Sequence, residues 1–161
     1  MTVIAWDGRI LAVDSQRNSG NHKSAATKIH MIDNKVLACC GSVKDIYAAL
    51  DYFTEWTPEK EKPQINNFGA IMLMNGEAYF IEESLFEFPI ESDYAAMGTG
   101  EPYAVMALHL RYSAKDAVRY TCQLASDCGG PIQFYDTQGD GRLQLYTPPV
   151  PKLVGSPRFV R

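Results

Sequence analysis

Thr2 is a residue that could carry both a nucleophile and its base. Methionine ahead of a small residue is normally removed, and we expect loss of Met1 to leave Thr2 with a free α-amine. The hydroxyl could then attack a carbonyl group, while the amine, with an ordinary pKa of about 8, accepts the proton at neutral pH. Threonine is common at position 2, so the alternative interpretation is an ordinary residue of a first strand.

The elements that would position Thr2 are short strands separated by turns. Asp7-Gly8 lies between two β-prone runs, and both residue types tolerate the positive φ of a two-residue hairpin. The polar stretch 14–26 is predicted as a loop. The last run of this half is almost wholly apolar and is expected to be buried on both faces. The strands predicted here are 2–6, 9–13, 28–32 and 36–40.

Three helices are predicted from capping residues and helical spacing. Ser42 with Asp45, and Ser113 with Asp116, have the spacing of a capping box, while Pro102 suits a first helical position. The first helix is expected to bury Val43, Ile46, Tyr47, Leu50 and Phe53, the second Tyr103, Met106, Ala107 and Leu110, and the third Ala117, Val118, Thr121 and Leu124.

The remaining pattern adds strands on either side of the last two helices. Asn75-Gly76 is a strong hairpin signal between the runs 69–74 and 77–82. Two antiparallel sheets covered by helices would satisfy the order of elements, and periodicity alone leaves α/β and α+β open. We expect one domain over 1–147 and an irregular, proline-rich tail over 148–161. The other predicted strands are 86–89, 94–97, 132–135 and 143–146.

Five segments, in order, resemble the HslV peptidase and the proteasome β-subunits. They are the opening 2–14, Lys28 at the start of the third strand, the strand-to-helix junction 37–45, the segment 98–104 (Gly-Thr-Gly-Glu-Pro-Tyr-Ala), and the helix end 125–130. The resemblance runs from Thr2 to about Tyr135. It implies an α+β, four-layer αββα sandwich, the fold of N-terminal nucleophile hydrolases, and a threonine-type endopeptidase.

The resemblance also implies a role for each matching residue. Thr2 Oγ would attack the scissile carbonyl, and the Thr2 amine, through a water, would take the proton and return it to the leaving amine. Lys28 would place a positive charge beside Thr2, and Asp14 would hold Lys28. The N–H of Gly41 would face the oxyanion, and Thr99 would stand where the family has a serine that binds the amine.

Each of these residues also has a purely structural interpretation. Asp14 could cap a loop, and Lys28 could end a strand in solvent. Gly41 could only admit a helix, and Thr99 could be a turn residue. Taken singly, none of them identifies an active site; the resemblance is what joins them.

The sequence departs from the proteasome pattern near the end of the last helix. Ala125 stands where proteasome β-subunits have an aspartate, Cys128 stands at a serine position, and Asp127 is close but out of register. HslV-type chains also lack that aspartate, and we expect no propeptide ahead of Thr2, so the sequence favours the HslV type. Whether Asp127 or Cys128 reaches the site is left open.

By resemblance, the first specificity pocket lies beside the strand that leads to Gly41. Ala38 and Val43 match its lining positions, and Asn18 lies in the adjacent loop. These residues indicate an apolar pocket, with an extended substrate pairing to the backbone around Asn18 and Gly41.

Composition excludes several other functions. With 46% hydrophobic residues in 161, the chain can bury a core, and its net charge of -4 without a basic run argues against nucleic-acid binding. Neither an apolar run long enough to cross a bilayer nor a signal peptide is found, so we expect a soluble, cytoplasmic protein. The four cysteines have no zinc-site spacing and are expected to be reduced core thiols; no metal or cofactor is expected.

The resemblance implies partners that the residues themselves do not show. The family forms closed homo-oligomeric rings that act on unfolded polypeptides, which are fed by an AAA+ ATPase such as HslU. The sequence lacks a Gly-x-x-x-x-Gly-Lys-Ser/Thr motif, so ATP-driven unfolding would need such a partner. Two alternatives are a catalytically inactive structural subunit of a ring and an N-terminal nucleophile amidase that acts on a small substrate.

Overall fold

The chain forms twelve strands and three helices over residues 2–149, the part that this computed structural model describes. The strands are β1 (Val3–Trp6), β2 (Ile10–Val13), β3 (Gln16–Ser19), β4 (His22–Ala25), β5 (Ile29–Ile32), β6 (Lys35–Gly41), β7 (Phe68–Met74), β8 (Glu77–Ile81), β9 (Glu87–Pro89), β10 (Ala95–Gly98), β11 (Ile132–Asp136) and β12 (Gln144–Tyr146). The helices are α1 (Val43–Phe53), α2 (Glu101–His109) and α3 (Ala114–Leu124).

Ten of the twelve strands in residues 2–149 form two five-stranded antiparallel sheets. The first sheet has the order β10-β1-β2-β11-β12 and the second the order β5-β6-β7-β8-β9, while β3 and β4 form a separate hairpin. The predicted hairpin turns are confirmed, with positive φ at Gly8, Asn75 and Gly76. The first sheet therefore places the start of β1, and with it Thr2, beside the end of β10.

The core is divided into three hydrophobic clusters. One packs α2 and α3 against the first sheet, a second packs α1 against the second sheet, and a third joins residues of both sheets. Ile4 and Leu11 of the first sheet meet Ile29 and Ile71 of the second sheet in that third cluster. The α+β class is confirmed. The four-layer αββα order would produce these three clusters and stays a prediction.

The predicted loop over 14–26 is wrong, because residues 16–25 form the β3–β4 hairpin. Gln16 pairs with Ala25 and Ser19 with His22. Only Gln16 is buried, so the hairpin has no alternation of apolar and polar residues that the sequence could reveal. Backbone pairing, rather than a hydrophobic face, defines this element.

The predicted serine N-caps are confirmed without the return bond of a full capping box at Ser42, whose N–H donates to the Asn67 carbonyl, and the predicted buried faces are partly wrong. Ser42 accepts from the Asp45 N–H, and Ser113 accepts from the Asp116 N–H. In α2, small alanines allow close packing on the sheet, so the larger apolar residues lie outside. The helices bury Asp45, Ala49, Leu50, Tyr52 and Phe53 in α1, Ala104, Ala107 and Leu108 in α2, and Ala114, Ala117, Val118 and Thr121 in α3. Predicted core residues that are exposed instead are Val43, Tyr47, Tyr103, Met106, Leu110 and Leu124.

The remaining predictions concern the tail and the membrane. Residues 150–161 of the predicted tail lie outside the described residues, and the domain boundary at 147 stays a prediction. Among the helices of residues 2–149, none is both long and apolar enough to span a membrane.

Candidate active site

Thr2 lies at the start of β1 and is held by the segment that precedes α2. The Gly100 N–H donates to the Thr2 carbonyl over 3.2 Å. The Thr2 nitrogen donates to Thr99 Oγ1 over 3.3 Å. A Cβ at Gly98, where φ is +96°, would lie 2.2 Å from the Thr2 carbonyl oxygen, so only glycine fits this close approach. Thr2 itself is 5% exposed.

Lys28 joins Thr2 to Asp14. Its Nζ lies 3.1 Å from Thr2 Oγ1 and 3.0 Å from Asp14 Oδ1. Lys28 and Asp14 are both buried, Asp14 completely. Charge-assisted hydrogen bonds of this length in a water-poor site hold their partners in fixed positions. The structure therefore brings together Thr2, Asp14 and Lys28, residues 26 positions apart at the extremes.

Asp14 is an acceptor for four donors. Besides Lys28, its Oδ1 accepts from the Val3 N–H over 3.1 Å, and its Oδ2 accepts from the N–H groups of Gln16 and Gly129 over 3.3 and 3.1 Å. Asp14 thus holds Lys28 against Thr2 and ties β1 to the loop before β11.

Gly41 ends β6 next to the first turn of α1. The Cys39 N–H donates to the Lys28 carbonyl over 2.9 Å. Because N–H groups two residues apart in a strand point to the same side, the Gly41 N–H faces the space beyond the start of β5. Gly41 has φ +121°, and a Cβ there would lie 2.2 Å from the Asn67 carbonyl oxygen. The positive end of the α1 dipole lies at this point, which favours negative charge.

Gln133 is a positioning residue that the sequence analysis did not identify. Its Oε1 accepts from the Lys28 N–H over 2.7 Å and from the Ile29 N–H over 3.1 Å, and its Nε2 donates to the Ala26 carbonyl over 2.6 Å. Gln133 thus fixes the short segment that carries Lys28 between β4 and β5. The only signal in the sequence is a polar residue inside the apolar run 132–135, which is weak.

A cleft of about 530 Å³ opens beside Thr2. Gly41 and Lys28 line it, together with Val43 and Asn18, two residues that the sequence analysis expects at the substrate pocket. The Asn18 side chain donates to the Asp127 carbonyl over 3.3 Å, which fixes the hairpin beside the cleft.

Ala38 does not line this cleft, and the prediction for it is wrong. Its side chain has no exposed surface and packs between the sheets with Ile29 and Ile71. Because side chains alternate along a strand, a shift by one residue moves a position to the opposite face. Cys39, two residues before Gly41, lies on the cleft side instead. Counting back by two from Gly41 would have identified it.

The Asp127 and Cys128 side chains contact each other. The Cys128 thiol lies 3.7 Å from Asp127 Oδ1, and Cys128 is buried against α2, α3 and the first sheet. The segment reaches the candidate site through backbone groups, above all the Gly129 N–H on Asp14. The helix end that departs from the proteasome pattern thus contributes a backbone donor through the neighbouring Gly129.

The four cysteines are free, and burial keeps them as thiols. Burial is the main cause that raises the pKa of Cys40 to about 11 and the pKa values of Cys122 and Cys128 to about 12; it also raises the pKa of Cys39. A thiol nucleophile at neutral pH requires a lowered pKa. Within residues 2–149, no group of three or more His, Cys, Asp or Glu residues is arranged to hold a metal.

Solved structures share this fold at low sequence identity. BPH of Thiobacillus denitrificans in complex with Epoxomicin has a TM-score of 0.65 and 16% identity, over 91% of this chain and 99% of that chain. BPH without the compound has a TM-score of 0.65 and 16% identity, over 92% of this chain and 99% of that chain. HslV from Trypanosoma brucei has a TM-score of 0.62 and 19% identity, over 84% of this chain and 98% of that chain. Sequence comparison with protein families and with curated proteins finds no match. The chain therefore has a proteasome-like fold of the HslV and BPH type.

Proposed function

We propose that this chain is a threonine-type endopeptidase subunit with Thr2 as its nucleophile. The observation that carries the proposal is the contact of Lys28 Nζ with Thr2 Oγ1, while the same ammonium is held by buried Asp14. A structural residue at a strand start has no need of a buried cation on its hydroxyl. The proteasome-like fold supports the same function, since it sets these side chains at the mouth of a cleft.

In the proposed first step, Thr2 Oγ1 attacks the carbonyl carbon of the scissile peptide bond. The free α-amine of Thr2, present once Met1 is removed, takes the hydroxyl proton through a water. The Lys28 ammonium stabilises the developing alkoxide and favours the unprotonated amine. Thr99 Oγ1, at 3.3 Å, orients the amine.

In the proposed second step, the tetrahedral intermediate collapses. Its oxyanion accepts from the Gly41 N–H, near the positive end of α1. The C–N bond breaks, the amine returns the proton to the leaving nitrogen, and an ester remains on Thr2 Oγ1. Water then attacks that ester, which releases the acid and restores the hydroxyl.

The proposal extends to the assembly. A four-layer αββα subunit of this kind would act within a homo-oligomeric ring on unfolded polypeptides, with an AAA+ ATPase of the HslU type as a possible partner. Large exposed apolar residues on α2 and at its end, among them Met106 and the C-cap residue Leu110, support association with further subunits.

Covalent labelling tests the assignment of the nucleophile. The processed protein is incubated with Epoxomicin, the compound bound by BPH, and is then digested with trypsin. We expect the adduct on the peptide 2–9, and none in Thr2→Ala. Thr54→Ala is the matched control, because the Thr54 hydroxyl donates to the Leu50 carbonyl at the end of α1. Failure to label Thr2, or labelling elsewhere, would contradict the proposal.

A further inference from the structure

The β3–β4 hairpin forms one wall of the cleft beside Thr2 but has no apolar anchor. Gln16, Asn18 and Ala25 of the hairpin line that cleft. In the two strands of the hairpin only Gln16 is buried, and none of the three core clusters in residues 2–149 includes a hairpin residue. An element without buried apolar contacts opens locally at little cost in free energy. The place of the hairpin beside the cleft therefore depends on hydrogen bonds.

The Gln16 side chain joins the hairpin to the loop that follows α3. Its Nε2 donates to the Ser126 carbonyl over 3.1 Å and to Asn18 Oδ1 over 2.9 Å. The Asn18 amide in turn donates to the Asp127 carbonyl over 3.3 Å. A primary amide has two N–H donors, and Gln16 uses one for each partner. The side chains of Gln16 and Asn18 thus form an amide link between β3 and the loop 125–131.

The backbone of Gln16 contacts the candidate active site independently of its side chain. The Gln16 N–H donates to the Gly129 carbonyl over 3.0 Å and to Asp14 Oδ2 over 3.3 Å. A Cβ at Gly129 would lie 2.4 Å from Gln16 Oε1, so the glycine leaves room for the amide. A change of the side chain at position 16 would therefore remove the amide link while the backbone donor to Asp14 stays in place.

We propose that Gln16 is a positioning residue that holds β3 in the place where an extended substrate pairs with it. The inference rests on the proposed peptidase function. β3 pairs only with β4 in a two-stranded sheet, so among residues 2–149 no strand occupies its other edge. A peptide that adds to this edge needs an ordered strand. Without the amide link, the hairpin would have to be ordered on binding, and that cost raises KM without slowing the chemical step.

Two substrates of different length test this role. Both carry the same fluorophore and the same residue before the scissile bond, but one is a tetrapeptide that can extend along β3 and the other is a single acylated residue. Gln16→Met keeps the length of the side chain and removes its amide. We expect this variant to raise KM for the tetrapeptide about tenfold, the effect of losing one or two hydrogen bonds, with kcat within about twofold. The kcat/KM for the single residue should also stay within about twofold.

Two further variants accompany Gln16→Met. Gln138→Met makes the same change on an exposed residue in the turn after β11 and should leave KM for both substrates at the wild-type value. Asn18→Leu removes the outer half of the amide link and should raise KM for the tetrapeptide in the same way. It takes the place of Gln16→Met if that variant does not fold.

Hydrogen exchange, followed by mass spectrometry, reports on the hairpin without any turnover. The amides of residues 17–25 should exchange faster in Gln16→Met than in Gln138→Met, while those of β1 and β6 keep the wild-type rates. Faster exchange in the hairpin, with no cleavage of either substrate by the wild type, would overturn the peptidase function alone. Hairpin exchange equal to that of Gln138→Met, or an equal loss of activity on both substrates, would overturn the inference.

Discussion

At the residue scale, the account depends on one buried ion pair beside one hydroxyl. Lys28 contributes the charge, but Asp14 decides where that charge lies, because it binds the ammonium and three backbone N–H groups at once. The arrangement fixes Thr2 from two sides. Thr99, in place of the serine of the resembling family, keeps the hydroxyl and adds a methyl group that restricts χ1.

Asp14→Asn should impair both activity and stability. The amide keeps the shape of the side chain, but its NH2 group would face backbone N–H groups that are themselves donors. The Lys28 ammonium would also be buried without its anionic partner. We expect kcat to fall about 100-fold and the free energy of unfolding to fall by about 3–5 kcal/mol, the range for removing one partner of a buried pair. Peptidase assays and urea unfolding measure the two effects.

The matched control is Asp136→Asn, which removes the carboxylate of the bidentate ion pair between exposed Arg9 and partly buried Asp136. Solvent around Arg9 screens this pair, so its loss should cost less stability than loss of the buried pair, and it is remote from Thr2 in the described contacts. An Asp14→Asn protein that resembles Asp136→Asn in kcat and unfolding would contradict the role given to Asp14.

At the element scale, the start of α1 sets the geometry of Gly41. Ser42 caps the helix, and Asp45 accepts from the N–H groups of Asn66 and Asn67. The Asn67 carbonyl, in turn, lies where a Cβ of residue 41 would be. The Ser42 cap was readable from the sequence, whereas the hydrogen bonds by which Asp45 joins α1 to the segment before β7 were not.

The stability that Asp45 contributes should depend on pH. The N–H of Asn67 is the main cause that lowers the pKa of Asp45, against the opposing effect of burial. A lowered pKa in the folded state means that the stabilisation is present above the carboxyl's ordinary pKa of about 3.9 and is lost as the pH falls through the folded value. Asp45→Asn should therefore lower Tm most at pH 6–7, on the order of 2–3 pH units above that ordinary value.

Thermal unfolding of the wild type and Asp45→Asn between about pH 2.5 and 7 measures this dependence. The two melting temperatures should converge toward the acid end. Asp51→Asn, on the exposed side of the same helix, serves as the control. A difference in Tm that stays constant over the whole range would contradict the prediction.

The sequence predicted elements that have a regular spacing of apolar residues or a characteristic turn or cap, and it missed contacts and elements that have neither. Turns at Gly8 and Gly76 and caps at Ser42 and Ser113 follow from local chemistry, so they were found. The β3–β4 hairpin has no apolar face, and the Ala38 error is a slip of one residue along a strand that is apolar on both sides. Gln133 acts through contacts 105 positions away in sequence, which no local pattern encodes.

At the scale of the whole molecule, the outer face of α2 is an apolar surface that a monomer would expose to water. Tyr103, Met106 and the C-cap residue Leu110 are 46%, 59% and 62% exposed and share helical spacing, while the alanines of the helix pack inward. Contiguous exposed apolar residues mark association surfaces. In the ring proposed for this chain, these residues would be buried against a neighbouring subunit.

Association should therefore depend on α2. The native mass, by light scattering or native mass spectrometry, should be a multiple of 17.9 kDa. Met106→Glu and Leu110→Glu should shift the protein toward smaller species, because a charge at a buried apolar contact is costly. Gln123→Glu, on the exposed side of α3, should leave the size of the assembly unchanged. A wild type that is monomeric at every concentration would contradict the ring.

The most direct test of the central claim joins intact mass to peptidase activity. The wild type, Thr2→Ser and Thr2→Ala are measured with the same fluorogenic peptide, after mass spectrometry has established the loss of Met1 in each. The account predicts turnover by the processed wild type, reduced turnover by Thr2→Ser, and a loss of at least about 1,000-fold in Thr2→Ala. Equal activity in Thr2→Ala, or no activity in a fully processed and assembled wild type, would contradict it.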